Sequence, residues 1–190
     1  MNPRTYAELI RKHLSLMDFR KVELIADRLF RGWIREKQVF TMGNGGSMAT
    51  ASHFASDLCK SVSGRKKDLF RVISLSDNTP LLTALANDFG YERVFEKQLE
   101  NSLRAGDFVI ALSASGNSPN LVRAVRCASR AGAETVALVG FDGGKLKKIA
   151  GHCLHIPENN YAIVEDIHLI LTHMICSLFK KKLNSVFLKK

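Results

Sequence analysis

Two short apolar runs, each followed at once by a glycine- and serine-rich turn, constrain the fold of this chain more than any other feature. Val39-Phe40-Thr41-Met42 runs into Gly43-Asn44-Gly45-Gly46-Ser47, and Phe108-Val109-Ile110-Ala111-Leu112 runs into Ser113-Ala114-Ser115-Gly116-Asn117-Ser118. The second run is apolar throughout, without alternation, so both of its faces must be buried. That is the pattern of strands in a parallel sheet with helices on both sides. The rest of the chain agrees. Apolar residues recur at helical spacing over 5–36, with a break near Met17-Asp18-Phe19. Helical patterns follow at Ser47–Lys60, Asn78–Asn87, Glu92–Leu103, Pro119–Ala131 and Tyr161–Lys182, with a short basic helix after Gly143-Gly144. Strand patterns occur at Leu69–Leu75, Thr135–Val139 and Cys153–Ile156. Five strands alternating with helices over 190 residues, with no linker and no repeat, predict one α/β domain.

In such sheets ligands bind outside the carboxyl ends of the strands, where both turns fall. A glycine-rich backbone allows close approach, and a helix N-terminus offers free N–H groups and partial positive charge, so the two turns read as an anion site. Plain helix capping is the alternative reading. Neither GxxxxGK[ST] nor GxGxxG is present, because Met48 holds the last glycine position of the latter. Serine-rich loops without lysine suit the monophosphate of a sugar better than a triphosphate.

The chain carries 28 Lys+Arg against 18 Asp+Glu, a formal net charge of +10. That balance first suggests nucleic acid. The charge is unevenly placed, however: residues 1–40 hold +4, 60–71 hold +4 and 180–190 hold +5, while 72–179 hold −2. A near-neutral middle with basic ends and one basic loop is not the layout of a nucleic-acid face. The four cysteines, Cys59, Cys127, Cys153 and Cys176, form no CxxC and read as reduced thiols. No uninterrupted apolar run approaches the length of a membrane span, and Met1-Asn2-Pro3-Arg4 does not open a signal peptide, so a cytoplasmic location is expected.

His53 and Asp57 stand four apart and share a helix face, while the last helix carries Glu165, Asp166, His168 and His173. Two acids and two histidines from two helices offer nitrogen and oxygen ligands that zinc accepts, or an acid/base pair working near neutral pH. Core histidines and a solvated helix start would look the same in sequence. His13, His152 and His155 have no such partners and read as structural.

Gly43–Ser47, His53-Phe54-Ala55, Ala86-Asn87-Asp88-Phe89-Gly90, Gly106-Asp107, Ser113–Ser118, Gly140 with Asp142-Gly143-Gly144, and Glu165-Asp166-Ile167-His168 leading to His173 together resemble the sugar isomerase (SIS) domain family. Within it they resemble the sedoheptulose-7-phosphate (phosphoheptose) isomerases. The resemblance covers nearly the whole chain. It implies a three-layer α/β sandwich with a five-stranded parallel sheet of the flavodoxin-like kind plus N-terminal helices. On that reading 1–36 are oligomerisation helices, 37–183 the core and 184–190 a basic tail. It implies a homotetramer with sites between subunits, acting on a phosphorylated seven-carbon sugar. The reaction turns sedoheptulose 7-phosphate into D-glycero-D-manno-heptose 7-phosphate, for lipopolysaccharide or other surface sugars.

The resemblance also assigns roles. Ser113, Ser115 and Ser118 would bind phosphate, and Asn44, Gly45, Gly46 and Ser47 the sugar side, with Asp88 and Glu165 also contacting substrate. Asp57 and His173 would transfer protons, and His53, Asp57, Glu165 and His173 would hold one zinc ion. The chain departs from the family where Asp57 replaces a glutamate and Glu165 a glutamine. An arginine common after the first helix of the site is also absent, with Lys60 or Arg65 as candidates to replace it. The alternative is a non-catalytic SIS protein that binds sugar phosphate or associates with a replication initiator; such a branch lacks the catalytic acid, which this chain has.

Overall fold

The structure, a computed structural model, describes residues 1–62 and 70–187. Five strands form one sheet in the order β2-β1-β3-β4-β5: β1 (Val39–Met42), β2 (Val72–Ser74), β3 (Phe108–Ser113), β4 (Glu134–Val139) and β5 (His152–His155). All four pairings are parallel. This is the flavodoxin-like strand order predicted, and the order reverses between β1 and β3, so a crevice opens where these two strands end. Both glycine/serine turns leave the sheet at that point.

The continuous apolar runs serve two cores. Along β3, Phe108, Ile110 and Leu112 enter the layer shared with the N-terminal and C-terminal helices. Val109 and Ala111 enter the opposite layer. Strand side chains alternate faces, so a strand covered on both sides must be apolar at every position. The first layer holds α1 (Pro3–Ser15), α2 (Phe19–Ile34), α3 (Gly46–Ser61) and α8 (Tyr161–Phe187). The second holds α4 (Thr79–Phe89), α5 (Val94–Ser102), α6 (Pro119–Arg130) and α7 (Gly144–Ile149), with a short 3-10 turn at Tyr91–Arg93 before α5.

The break between α1 and α2 follows from capping. The Asp18 carboxylate accepts from the Arg20 N–H and starts a new helix. Asn2 caps α1 and Asn78 caps α4 in the same way. The first two helices are not an appended arm: Val22, Ile25, Ala26, Leu29 and Trp33 of α2 are buried in the first core. Trp33 and Phe30 pack on Phe179, which stacks on Phe70 at 5.4 Å. Burying a side chain of this size contributes roughly 1.5–3 kcal/mol. Leu16, Phe19, Leu24 and Ile34 remain exposed on the outer side of the pair.

Tyr161–Val186 of α8 is long and apolar enough to cross a membrane by length and composition, although no uninterrupted apolar run signalled it. Half of its apolar 18-residue portion is buried in the protein, against α2, α3 and β4. Its apolar character is that of a central core helix, which must be hydrophobic on most sides. All four cysteines are free thiols, as expected.

Candidate active site

At the crevice a cavity of about 140 Å³ is lined by Ser47 from the first turn, Ser113, Ser115 and Ser118 from the second, and Glu165 and Tyr161 from α8. Two of its hydroxyls are oriented by backbone. Ser113 Oγ accepts from the Gly116 N–H at 3.1 Å, and Ser115 Oγ accepts from the Asn117 N–H at 3.2 Å. With a lone pair occupied in each, their O–H hydrogens remain to donate to an anion. The helices that begin here, α3 and α6, have no side-chain cap, unlike α1, α2 and α4. Their partial positive charge faces the cavity, although the Leu121 N–H of α6 is taken by Asn120 Oδ1 and the Met48 N–H of α3 by backbone carbonyls.

The serine loop is braced from behind. Gly116 has φ +64° and lies so close to the Gly143 carbonyl that a side chain would collide with it. The Gly116 carbonyl accepts from the Leu146 N–H at 2.9 Å, and Asn117 Oδ1 accepts from the Lys145 N–H at 3.1 Å. Asp142 caps the turn by accepting from the Gly144 N–H at 3.0 Å. Gly140 joins the same brace: its N–H donates to the Ala114 carbonyl at 2.9 Å, and its carbonyl accepts from the Gly143 N–H at 2.8 Å.

Asn44 also lines the cavity, and its amide orientation is fixed. Asn44 Nδ2 donates to Asn120 Oδ1 at 3.0 Å, and Asn120 Nδ2 donates back to Asn44 Oδ1 at 2.9 Å. Tyr91 OH donates to the same Asn44 oxygen at 2.8 Å, while the Leu121 N–H donates to Asn120 Oδ1 at 2.9 Å. Both lone pairs of Asn44 Oδ1 are therefore used, and Asn44 meets a ligand through its second N–H, as a donor. Asn120 and Tyr91 went unnoticed in the sequence. A buried Asn in the first turn of an apolar helix was the available signal for Asn120.

The acid–histidine group forms between α3 and α8. His53 Nε2 lies 2.9 Å from His173 Nε2, and Asp57 Oδ2 lies 3.4 Å from the first and 3.8 Å from the second. The two rings meet edge to face at 5.1 Å. Ligand atoms of these three residues all lie within 4.8 Å of one another. Two imidazoles and a carboxylate with converging atoms fit a divalent metal with nitrogen and oxygen preference. The two histidines are half exposed and Asp57 is partly buried, so the group is open to a substrate.

Glu165 is placed differently. Its carboxylate packs directly on Gly46, where an added side chain would displace it, and it lines the serine cavity. It is not one of the three converging metal-ligand candidates. Gly45 has φ +56° and stands before the first residue of α3. Asp88 lies on exposed α4, where Oδ1 accepts from Asn87, and it does not line the cavity. Lys60 is exposed in the last turn of α3; Arg65 lies outside the described residues.

The remaining histidines behave as structural groups. His13 bonds Glu158 Oε2 at 3.0 Å, and that contact holds the Glu158 carboxyl below its usual range. His155 Nε2 bonds the Phe141 carbonyl at 2.9 Å, and burial lowers the His152 pKa. His168 turns into the core, 1% exposed. Among the described residues neither of its ring nitrogens reaches a partner in hydrogen-bond geometry. Burial pushes its pKa down to about 4, against a weaker opposing pull from the Val139 backbone.

Residues 5–140 match the SIS domain family. The chain is 36% identical over 187 residues to the phosphoheptose isomerase of Trichlorobacter lovleyi, covering 95% of each. It is 34% identical to the probable phosphoheptose isomerase of Thermoplasma acidophilum, covering 96% of this chain and all of the relative. The solved structure of the Neisseria gonorrhoeae phosphoheptose isomerase superposes with a TM-score of 0.85 at 28% identity, covering 94% of each chain.

Proposed function

The chain belongs to the SIS domain family and, within it, groups with the phosphoheptose isomerases, and from that premise we propose that it interconverts sedoheptulose 7-phosphate and D-glycero-D-manno-heptose 7-phosphate. The observation that carries this reading is that the same two helices, α3 and α8, line the anion cavity through Ser47 and Glu165 and bring the acid–histidine group together through His53, Asp57 and His173. It is a sugar-phosphate isomerase.

The chemistry follows from the residues. Phosphate binds to Ser113, Ser115, Ser118 and Ser47, in the field of the α3 and α6 N-termini. Binding energy gained there orients the far end of the sugar. Asn44 donates to a sugar oxygen, and Glu165 accepts from sugar hydroxyls. Asp57 takes the proton from C1 of the ketose, giving an enediol, and returns it to C2 to give the aldose. His173 moves the balancing proton between O2 and O1, as an imidazole near neutral pH can. Asp57 is one methylene shorter than the family's glutamate, so the substrate carbon sits closer to α3.

His53, Asp57 and His173 would hold one zinc ion. When bound, such an ion supplies Lewis-acid polarisation of the substrate carbonyl and stabilises enediolate charge. The protein acts as a homotetramer in the cytoplasm, with the exposed apolar side chains of α1 and α2 in its interfaces, and provides heptose for lipopolysaccharide or another surface sugar. A non-catalytic binding protein would need neither the base nor the imidazole that converge here. The test is turnover of sedoheptulose 7-phosphate by purified protein, before chelation, after it, and after zinc is returned. Turnover lost on chelation and restored by zinc supports the reading. Absence of turnover in folded, zinc-supplied protein refutes it.

A further inference from the structure

Behind the serine loop lies a second, larger cavity of about 390 Å³, between the outer face of α6 and the start of α7. Arg123, Arg126 and Arg130 stand on one exposed side of α6, and Lys145 comes from the first turn of α7. Helix α6 carries no acidic residue that could pair with its arginines. Elsewhere such partners are present: Arg31 pairs with Asp27, Arg93 with Glu96 and Lys97 with Glu100. Among the described residues Arg123, Arg126 and Lys145 form no side-chain ion pair. The one carboxylate lining the cavity, Glu96, is already held by Arg93 at 3.2 Å, with Arg130 at 3.9 Å.

We infer that this cavity is a binding site for a small molecule carrying two or more phosphates, distinct from the substrate cavity. Arg123, Arg126 and Lys145, three cations without an ion pair among the described residues, exceed what a single phosphate dianion balances, and the Arg130–Glu96 pair stands beside them. The arginine row spans about 10 Å of helix, enough to reach two separate phosphate groups. Guanidinium groups bind phosphate oxygens through paired donors. The apolar lining is only Pro119 and Val122, with no aromatic ring on which a nucleobase would stack, and this disfavours a nucleic-acid strand.

The position also joins this cavity to the serine loop. Asn117 lines it, donates its backbone N–H to Ser115 Oγ and accepts from the Lys145 N–H. A ligand gripping Lys145 therefore bears on the backbone that orients Ser115.

The test is calorimetric titration of the intact, metal-free protein with inorganic pyrophosphate, and in parallel with orthophosphate and a short single-stranded DNA. Direct binding is read, so the result does not depend on the isomerase assignment. The expected result is one saturable pyrophosphate site per chain that depends on Arg123 and Arg126, retained in Ser118→Ala. In the double variant Arg123→Ala/Arg126→Ala it should weaken by roughly tenfold or more, as loss of two charge-assisted contacts requires. Lys145→Ala alone should weaken it in the same direction, and unchanged thermal unfolding should confirm that these exposed substitutions leave the fold intact. Four results would overturn the inference: undiminished binding in the double variant, loss of the arginine-dependent site in Ser118→Ala, orthophosphate binding to the arginines as tightly as pyrophosphate, or DNA binding that depends on the same arginines.

Discussion

His53 Nε2 and His173 Nε2 face each other at 2.9 Å across the α3–α8 interface, 120 residues apart in sequence, with the Asp57 carboxylate within reach of both. Two like nitrogens at that distance need one shared proton or a metal ion that both ligate. The same contact joins the two helices and readies the chemistry. Its consequences can be measured, as can those of the phosphate loop and the core behind it.

The serine loop binds through hydroxyls that the backbone holds as donors. Ser115→Ala removes one donor to a charged group, worth roughly 1.5–3 kcal/mol, so KM should rise on the order of tenfold or more while kcat changes less. Steady-state kinetics over a range of substrate concentrations checks this. An unchanged KM would remove Ser115 from the phosphate site.

Asn120 acts by positioning Asn44. Asn120→Asp replaces its donor with an acceptor, so two oxygens would face each other at 2.9 Å where a hydrogen bond now stands. Asn44 should turn its amide, and KM should rise severalfold with kcat falling less, while Asn120→Gln fails to rescue. The buried mismatch should also cost about 1–3 kcal/mol of stability. Kinetics and chemical denaturation of the same variant separate the two effects.

Glu165 puts a carboxylate into a cavity built for an anion. Glu165→Gln removes the like charge facing the phosphate, and KM should fall by a factor of about 2–10 at low ionic strength, less at high salt. Zinc affinity measured on the same variant shows whether the carboxylate serves the metal as well. A Kd for zinc left unchanged would confine Glu165 to the substrate.

His168 makes stability depend on pH. Its folded pKa of about 4 lies below the usual value of 6.5, so the unfolded chain binds the extra proton first. The stabilisation is complete above pH ~6.5 and is lost as pH falls toward about 4, by up to roughly 3 kcal/mol. Denaturant titrations of chelated protein across that window should show the loss, and His168→Leu should flatten it.

Much of this was legible from the sequence because it is local. The parallel sheet followed from the unbroken apolar character of Phe108–Leu112, and the serine turn announced itself by composition. The His53/Asp57 pair followed from helical spacing. What stayed hidden depends on elements meeting in space. Nothing in the spacing of Asn44, Tyr91 and Asn120 indicates that three separate segments share one amide. Glu165 and His173 are eight apart on one helix and both meet α3, yet one lies on its first residue and lines the phosphate cavity while the other meets His53 further along it. The arginines of α6 looked unremarkable within a near-neutral stretch, since their acidic neighbours in sequence lie on other elements or are already paired.

The central claim is that Asp57 carries a proton between C1 and C2 through an enediol. It is tested most directly by running the reaction with sedoheptulose 7-phosphate in deuterated water and following label at both carbons by NMR. Wild-type protein should form the aldose and bring deuterium into the sugar. Asp57→Asn should lose both, with kcat falling roughly 10²–10⁴-fold and the fold unchanged. Deuterium exchange and turnover persisting at near wild-type rates in folded Asp57→Asn would contradict the account.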